Sequence, residues 1–100
     1  MKKIVRNIAM NQELSEILAL QALAYIASDE ERLSWLMTET GISPGDLSNS
    51  ADKSEILAGI LDFLLHHEDI LIDFCKDNNI DATSPVRARQ FLPGALLEDY

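Results

Sequence analysis

The segment from Glu55 to Cys75, EILAGILDFLLHHEDILIDFC, is the densest apolar run in the chain and the strongest constraint on its fold. Four consecutive ionisable residues interrupt it near the middle, from His66 to Asp69. The segment is either one long helix that carries a polar site or two helices joined by a turn. This choice decides whether the chain has a candidate site for chemistry.

Helical geometry distinguishes the two interpretations. In a continuous helix, Asp62, His66, Asp69 and Asp73 form a polar stripe within an arc of about 60°. These four residues are the candidates for binding one divalent metal ion. The same helix places Glu68 near the middle of the apolar arc, where burial of an unpaired carboxylate is costly or forces its pKa upwards.

A turn at His66 and His67 removes that cost. An imidazole then lies at the negative end of the first helix, and Glu68 and Asp69 lie in the first turn of the second, at its positive end. The sequence therefore predicts two helices. The metal site becomes the weaker hypothesis, because Asp62 no longer shares a straight face with the residues after the turn, and we predict neither a metal site nor a cofactor.

Helix signals recur along the rest of the chain. Asn11 is a suitable N-cap for a helix over residues 12–27, which is apolar nearly all round and is predicted to be central rather than a dimer seam. Ser28 and Glu31 form a capping box for a second helix that runs to about Thr40. On this helix we expect Trp35 to cover the edge of the core.

Residues that typically start or end helices predict the further helix boundaries. Gly41 is placed to end the second helix, and Ser43, Pro44 and Asp46 form a compact start signal, with Ile42 able to pack on Leu47. Asp52 is the predicted cap of the next helix. Asn78 or Asn79 is predicted to end a helix in a left-handed conformation. Ser84 and Pro85 open a last helix to about Leu92, which Pro93 and Gly94 end.

Composition agrees with these signals. The chain of 100 residues is 47% hydrophobic and contains only four Gly and three Pro, which favours helices over sheet. We predict an all-α fold: a compact single-domain bundle of about five or six short helices over residues 1–100. Residues 1–10 are expected to form an N-terminal arm and residues 94–100 a mobile tail.

Charge and cysteine content limit the classes of function. The 17 acidic and 8 basic residues give a net charge of −9, which disfavours binding to nucleic acid. No segment resembles a signal peptide or a membrane span, so we expect a cytoplasmic protein that does not bind membranes. Cys75 is the single cysteine and is predicted to be a thiol of the core.

The order of several short motifs resembles a protein family. These are Ala22–Leu33, Thr40–Leu47, Ile60–Leu65, Glu68–Phe74, and Arg89 followed by Leu92-Pro93-Gly94. Together they resemble, over roughly residues 14–94, a family of small bacterial proteins, mainly from alphaproteobacteria, classed as a domain of unknown function. The resemblance implies a helical cytoplasmic protein and supplies no catalytic residue. The family favours Gly or Asp at the position of His66-His67, which agrees with a turn there.

Three functional hypotheses remain. The leading one is a non-enzymatic module that binds an unknown protein partner or itself. The alternative is a small enzyme or metal-binding protein that uses His66 or His67 with Asp62 or Glu68, although no catalytic motif is present. The third is an acidic mimic of nucleic acid that binds a basic protein. For the last helix, we expect one of Arg87 and Arg89 to pair with a carboxylate and the other to be solvated.

Overall fold

The computed structural model describes residues 10–48 and 54–94, without the side chains of Leu47 and Ser48. Within these ranges the chain forms six helices and no strand: α1 Gln12–Ala27, α2 Glu30–Thr40, α3 Pro44–Ser48, α4 Ser54–Leu65, α5 Glu68–Asn78 and α6 Ser84–Arg89. The predicted all-α bundle of short helices is confirmed. The predicted arm and tail lie outside the described residues, apart from Met10 and Gly94.

Helix α1 packs on several helices, as expected of a central helix, although Ile17, Ala24 and Ala27 on it are exposed. Asn11 caps it, since the Leu14 backbone N–H donates to Asn11 Oδ1 at 2.8 Å. The helix packs against α2, α4 and α6. Its small residues Ala19 and Ala22 are completely buried, so neighbouring helices can approach its backbone closely. Other helices of the same chain therefore cover most of the apolar surface of α1.

The predicted cap of α2 is one residue too early. Asp29, not Ser28, is the N-cap, because the Arg32 backbone N–H donates to Asp29 Oδ2 at 3.0 Å. Ser28 instead ends α1, and its hydroxyl donates to the Tyr25 carbonyl oxygen at 2.6 Å. With only two residues between α1 and α2, each of them serves a different helix end.

The boundary between α2 and α3 follows the predicted pattern. Gly41 has a φ of 76°, the left-handed conformation that ends α2. The Ser43 N–H donates to Asp46 Oδ2 at 3.0 Å, and the Asp46 N–H donates to Ser43 Oγ at 3.1 Å. This reciprocal pair confirms the capping box. The predicted contact of Ile42 with Leu47 and the cap at Asp52 fall outside what the structure describes.

The segment that dominates the sequence is two helices. Helix α4 ends at Leu65 and α5 begins at Glu68, and both Glu68 and Asp69 lie in the first turn of α5. Gly59 gives α4 room for Ile42, because an added Cβ would lie 3.3 Å from Ile42 Cδ1. The two helices supply much of the core. The buried apolar side chains of α4 and α5 are Leu57, Ala58, Ile60, Leu61, Phe63, Leu64, Ile70, Phe74 and Cys75.

The C-terminal part differs from the prediction at one boundary. Asn79 ends α5 with a φ of 58°, as predicted. Helix α6, however, ends at Arg89 and not near Leu92. The backbone N–H groups of Phe91 and Leu92 bond to carbonyls three residues earlier, so the chain tightens into turns before Pro93. Pro93 lacks an N–H and cannot continue a helix.

Candidate functional site

A cleft lies beside the α4–α5 turn, where α4 faces the end of α2. Its volume is about 300 Å³. The side chains and backbone that line it come from Glu39, Thr40, Gly59, Asp62, Phe63 and His66. The cleft therefore contains two of the residues that the sequence nominated, Asp62 and His66, together with Glu39, which it did not.

Asp62 is held by an arginine from α6. Arg89 Nε donates to Asp62 Oδ1 at 2.7 Å, and Arg89 Nη2 donates to Asp62 Oδ2 at 3.2 Å. Arg89 Nη1 also donates to the carbonyl oxygens of Leu92 and Pro93, at 3.2 and 2.9 Å. The Arg89 side chain is only 14% exposed. Both oxygens of this candidate metal ligand thus serve a structural clamp between α4 and the end of α6.

The remaining metal candidates do not converge on one site in the described residues. His66 Nδ1 donates to the backbone oxygen of Asp62 at 2.7 Å and so covers a carbonyl at the end of α4. Asp69 and Asp73 are exposed on α5, beyond the turn. Among residues 10–48 and 54–94, no three His, Cys, Asp or Glu side chains are placed to hold one metal ion.

His67 joins the core to the surface through ring contacts. Its Nε2 donates to Glu39 Oε1 at 2.8 Å. Its ring lies 4.5 Å from the Phe63 ring, centroid to centroid, and 6.3 Å from that of Trp35, with the latter planes only 15° apart. The sequence paired His67 with Asp62 or Glu68. The structure pairs it instead with Glu39, across 28 positions of sequence.

The sequence predicted that Trp35 would cover the edge of the core. It is 43% exposed and lies against His67, outside the buried cluster. The helical period of α2 contained a signal for this placement. Glu31 and Glu39 lie four residues before and after Trp35, and residues at that spacing share a helix face. All three residues are exposed. Trp35 therefore belongs to the solvated face of α2 and not to the buried face that contains Leu36.

The cleft offers little for nucleophilic chemistry. Its one hydroxyl, that of Thr40, donates to the Leu36 carbonyl oxygen at 2.6 Å and accepts from the Ile42 N–H at 3.2 Å. The only cysteine lies elsewhere and is buried. Burial raises the pKa of the Cys75 thiol above its ordinary value, and the charge of Asp81 adds to the effect. The histidine–carboxylate pair is thus suited to binding or to holding shape.

A second groove lies at the end of α5, beside the turn that leads to α6. It has a volume of about 450 Å³ and includes Ile72, Lys76, Ile80 and Ala82 in its lining. The Cys75 Sγ atom lies at its base, 4.0 Å from the Asp81 carbonyl oxygen. Asp81 caps the following turn through Thr83, and these hydrogen bonds hold the pKa of its carboxyl below the ordinary value.

Comparison with known protein families gives a match. Residues 12–95 match the family described as "Protein of unknown function (DUF3572)". The chain belongs to this family. Searches of curated proteins and of solved structures find no match for this DUF3572 protein. In the described part of the DUF3572 chain, no helix has both the length and the apolar character needed to cross a membrane.

The DUF3572 fold explains two of the short motifs by which the sequence resembles a family. Asp62 lies in the Ile60–Leu65 motif, and Arg89 opens the motif that ends in Leu92-Pro93-Gly94. The ion pair between them joins these motifs directly. Arg89 is therefore the arginine that was expected to pair, and Arg87 is exposed. These motifs serve the architecture of the molecule.

Proposed function

We propose that this DUF3572 protein is a non-enzymatic interaction module that binds a protein partner through its exposed acidic and aromatic surface. The observation that carries the proposal is the placement of Trp35. The only tryptophan of the chain remains 43% exposed on α2, with the exposed Glu31 and Glu39 one helical turn before and after it. Exposed tryptophan is enriched among the residues that contribute most to protein interfaces.

The polar residues of the cleft support binding over catalysis. The Asp62 carboxylate is committed to Arg89, and His66 Nδ1 is committed to a helix carbonyl. Thr40 is likewise engaged at both its donor and its acceptor positions. An enzyme needs a nucleophile or a base that is free to meet its substrate. The His67–Glu39 pair alone does not meet that need.

The distribution of charge weighs against the nucleic-acid mimic. A mimic needs carboxylates along one ridge that follows a phosphate backbone. Exposed carboxylates here occur on α1, α2, α4 and α5 and in the turn before α6. They include Glu13, Glu31, Asp73 and Asp81. A general acidic surface is better suited to attracting basic protein segments and to keeping a small protein soluble.

The proposal places the protein in the bacterial cytoplasm. The resemblance described above is to bacterial proteins. The chain has one cysteine, Cys75, which is buried as a free thiol, and a reduced thiol is normal in that compartment. The partner is then expected among cytoplasmic proteins.

The proposal is tested by affinity capture from the native cell, followed by reconstitution with purified components. Light scattering first measures the mass of the purified chain, for which a monomer is 11.2 kDa. We expect a captured protein to re-form a complex of fixed stoichiometry on a sizing column. A dimer of the chain alone supports the self-associating version. A strict monomer that retains no protein, in cells or after purification, contradicts both versions.

A further inference from the structure

We propose that the outer face of α2 binds an arginine side chain from a basic segment of the partner protein. This face, the Trp35 face, consists of Glu31, Trp35 and Glu39. The proposal rests on the proposed function and specifies both the surface and the chemistry of the partner. The guanidinium group would lie over the Trp35 ring and pair with the carboxylates on either side.

The spacing of the Trp35 face suits this task. Its three residues are four positions apart on one continuous helix, and all three are exposed. Side chains at this spacing lie one turn apart on the same side of a helix. An aromatic ring thus lies between two carboxylates, which together offer a π face and negative charge to one cation.

The Trp35 face is supported from the core. Phe63 is 2% exposed and contacts the His67 ring, which in turn lies nearly parallel to the Trp35 ring. Glu39 Oε1 fixes His67 at 2.8 Å, while Glu39 Oε2 makes no hydrogen bond in the described part of the chain. These contacts order the Trp35 face before a ligand binds, which reduces the entropic cost of binding.

The molecule contains an internal example of the proposed contact. The Arg32 guanidinium carbon lies 4.3 Å from the centre of the Tyr25 ring. Arg32 Nη2 also donates to the Tyr25 carbonyl oxygen at 3.2 Å and to Ser28 Oγ at 3.1 Å. Arginine combines ring stacking with directed hydrogen bonds, whereas lysine presents a compact and strongly hydrated charge. The Trp35 face offers the same combination to an arginine from outside.

Charge favours a basic partner over other occupants. Fourteen of the 17 acidic residues but only four of the 8 basic ones lie in the described ranges. A basic segment is therefore attracted and steered towards the protein, and an anionic ligand or a second acidic copy is repelled. The groove at the end of α5 has Lys76 beside Asp81 and no aromatic ring among the described residues of its lining, so it is a poorer match for arginine.

The test uses a fluorescently labelled helical peptide with arginine on one face and leucine on the other. Its binding to the full chain is measured by anisotropy, beside a twin peptide with glutamine in place of arginine. We expect the twin to bind at least about tenfold more weakly. We also expect E39Q, which keeps an amide oxygen for His67, and W35L each to weaken binding by about three- to tenfold.

D77N is the matched control, since Asp77 is exposed on α5 about 15 Å along the helix from His67. It loses the same charge and should change affinity less than about twofold. Equal losses in D77N and E39Q, or equal binding of the two peptides, overturn the arginine site. Binding that survives both W35L and E39Q also overturns it. None of these outcomes decides the proposed function, which is tested separately by reconstituting the complex. Circular dichroism verifies that each variant is folded.

Discussion

At the scale of single residues, Arg89 is the side chain that most connects separate parts of the fold. It bonds to Asp62 on α4 and to two carbonyls beyond α6. Sequence analysis could predict that one arginine of α6 pairs with a carboxylate. It could not choose between Arg87 and Arg89, because the partner depends on how α6 packs on α4, which no local pattern specifies.

Replacing Arg89 should therefore destabilise the protein. We expect R89M to lower the free energy of unfolding by about 2 kcal/mol, since it removes several charge-assisted hydrogen bonds, two of them to the partly solvated Asp62. R87M is the matched control on the same helix, because Arg87 is exposed, and should change stability by less than about 0.5 kcal/mol. Urea unfolding measures both variants. Equal losses of stability would show that the hydrogen bonds of Arg89 contribute no more than an exposed arginine does.

Cys75 should react slowly in the native protein. Burial and the charge of Asp81 raise its pKa above 9.0, so the reactive thiolate is scarcer than in a free cysteine and is also shielded. We expect alkylation by iodoacetamide at neutral pH to be roughly a hundredfold slower than in urea. Because the pKa is raised, the associated stability is complete below pH 9 and is lost as the pH rises through the folded value. Rapid native alkylation would indicate an open thiol.

At the scale of elements, the break between α4 and α5 was predictable, and the start of α2 was predicted one residue early. The break followed from one charge, because a continuous helix would have buried Glu68. The start of α2 was ambiguous, since Ser28 and Asp29 are both good caps. The Ser28 hydroxyl bonds to a carbonyl at the end of α1, and a pattern for one helix start does not include the end of the preceding helix.

The position of that cap is tested by a pair of alanine variants. D29A should lower the free energy of unfolding by about 1 kcal/mol, because the Arg32 N–H loses its acceptor. S28A should cost less than about 0.5 kcal/mol, since its hydroxyl is at an exposed helix end. Thermal unfolding followed by circular dichroism compares them. The reverse order of effects would place the cap at Ser28, as the sequence alone suggested.

At the scale of the whole molecule, the helical class was predictable and the Trp35 face was not. Composition, caps and helical periods predict a bundle of about five or six short helices. The face depends on His67 meeting Glu39 across 28 positions of sequence and on the Trp35 ring lying beside it. Such contacts arise only when α2 and the α4–α5 turn pack on opposite sides of the same cleft. Of the residues first considered for metal binding, Asp62 joins α4 to the end of α6 through Arg89, and His66 bonds to a carbonyl of α4.

The most direct test of the account is to map where an arginine-bearing helical peptide contacts the ¹⁵N-labelled protein by NMR. Trp35 supplies the only indole N–H in the chain, so its resonance reports on the proposed surface without ambiguity. The account predicts that the largest shifts occur at this indole and at the amides of Glu31, Glu39 and His67. Largest shifts around Ile72 and Ala82, or no shifts at all, would contradict it.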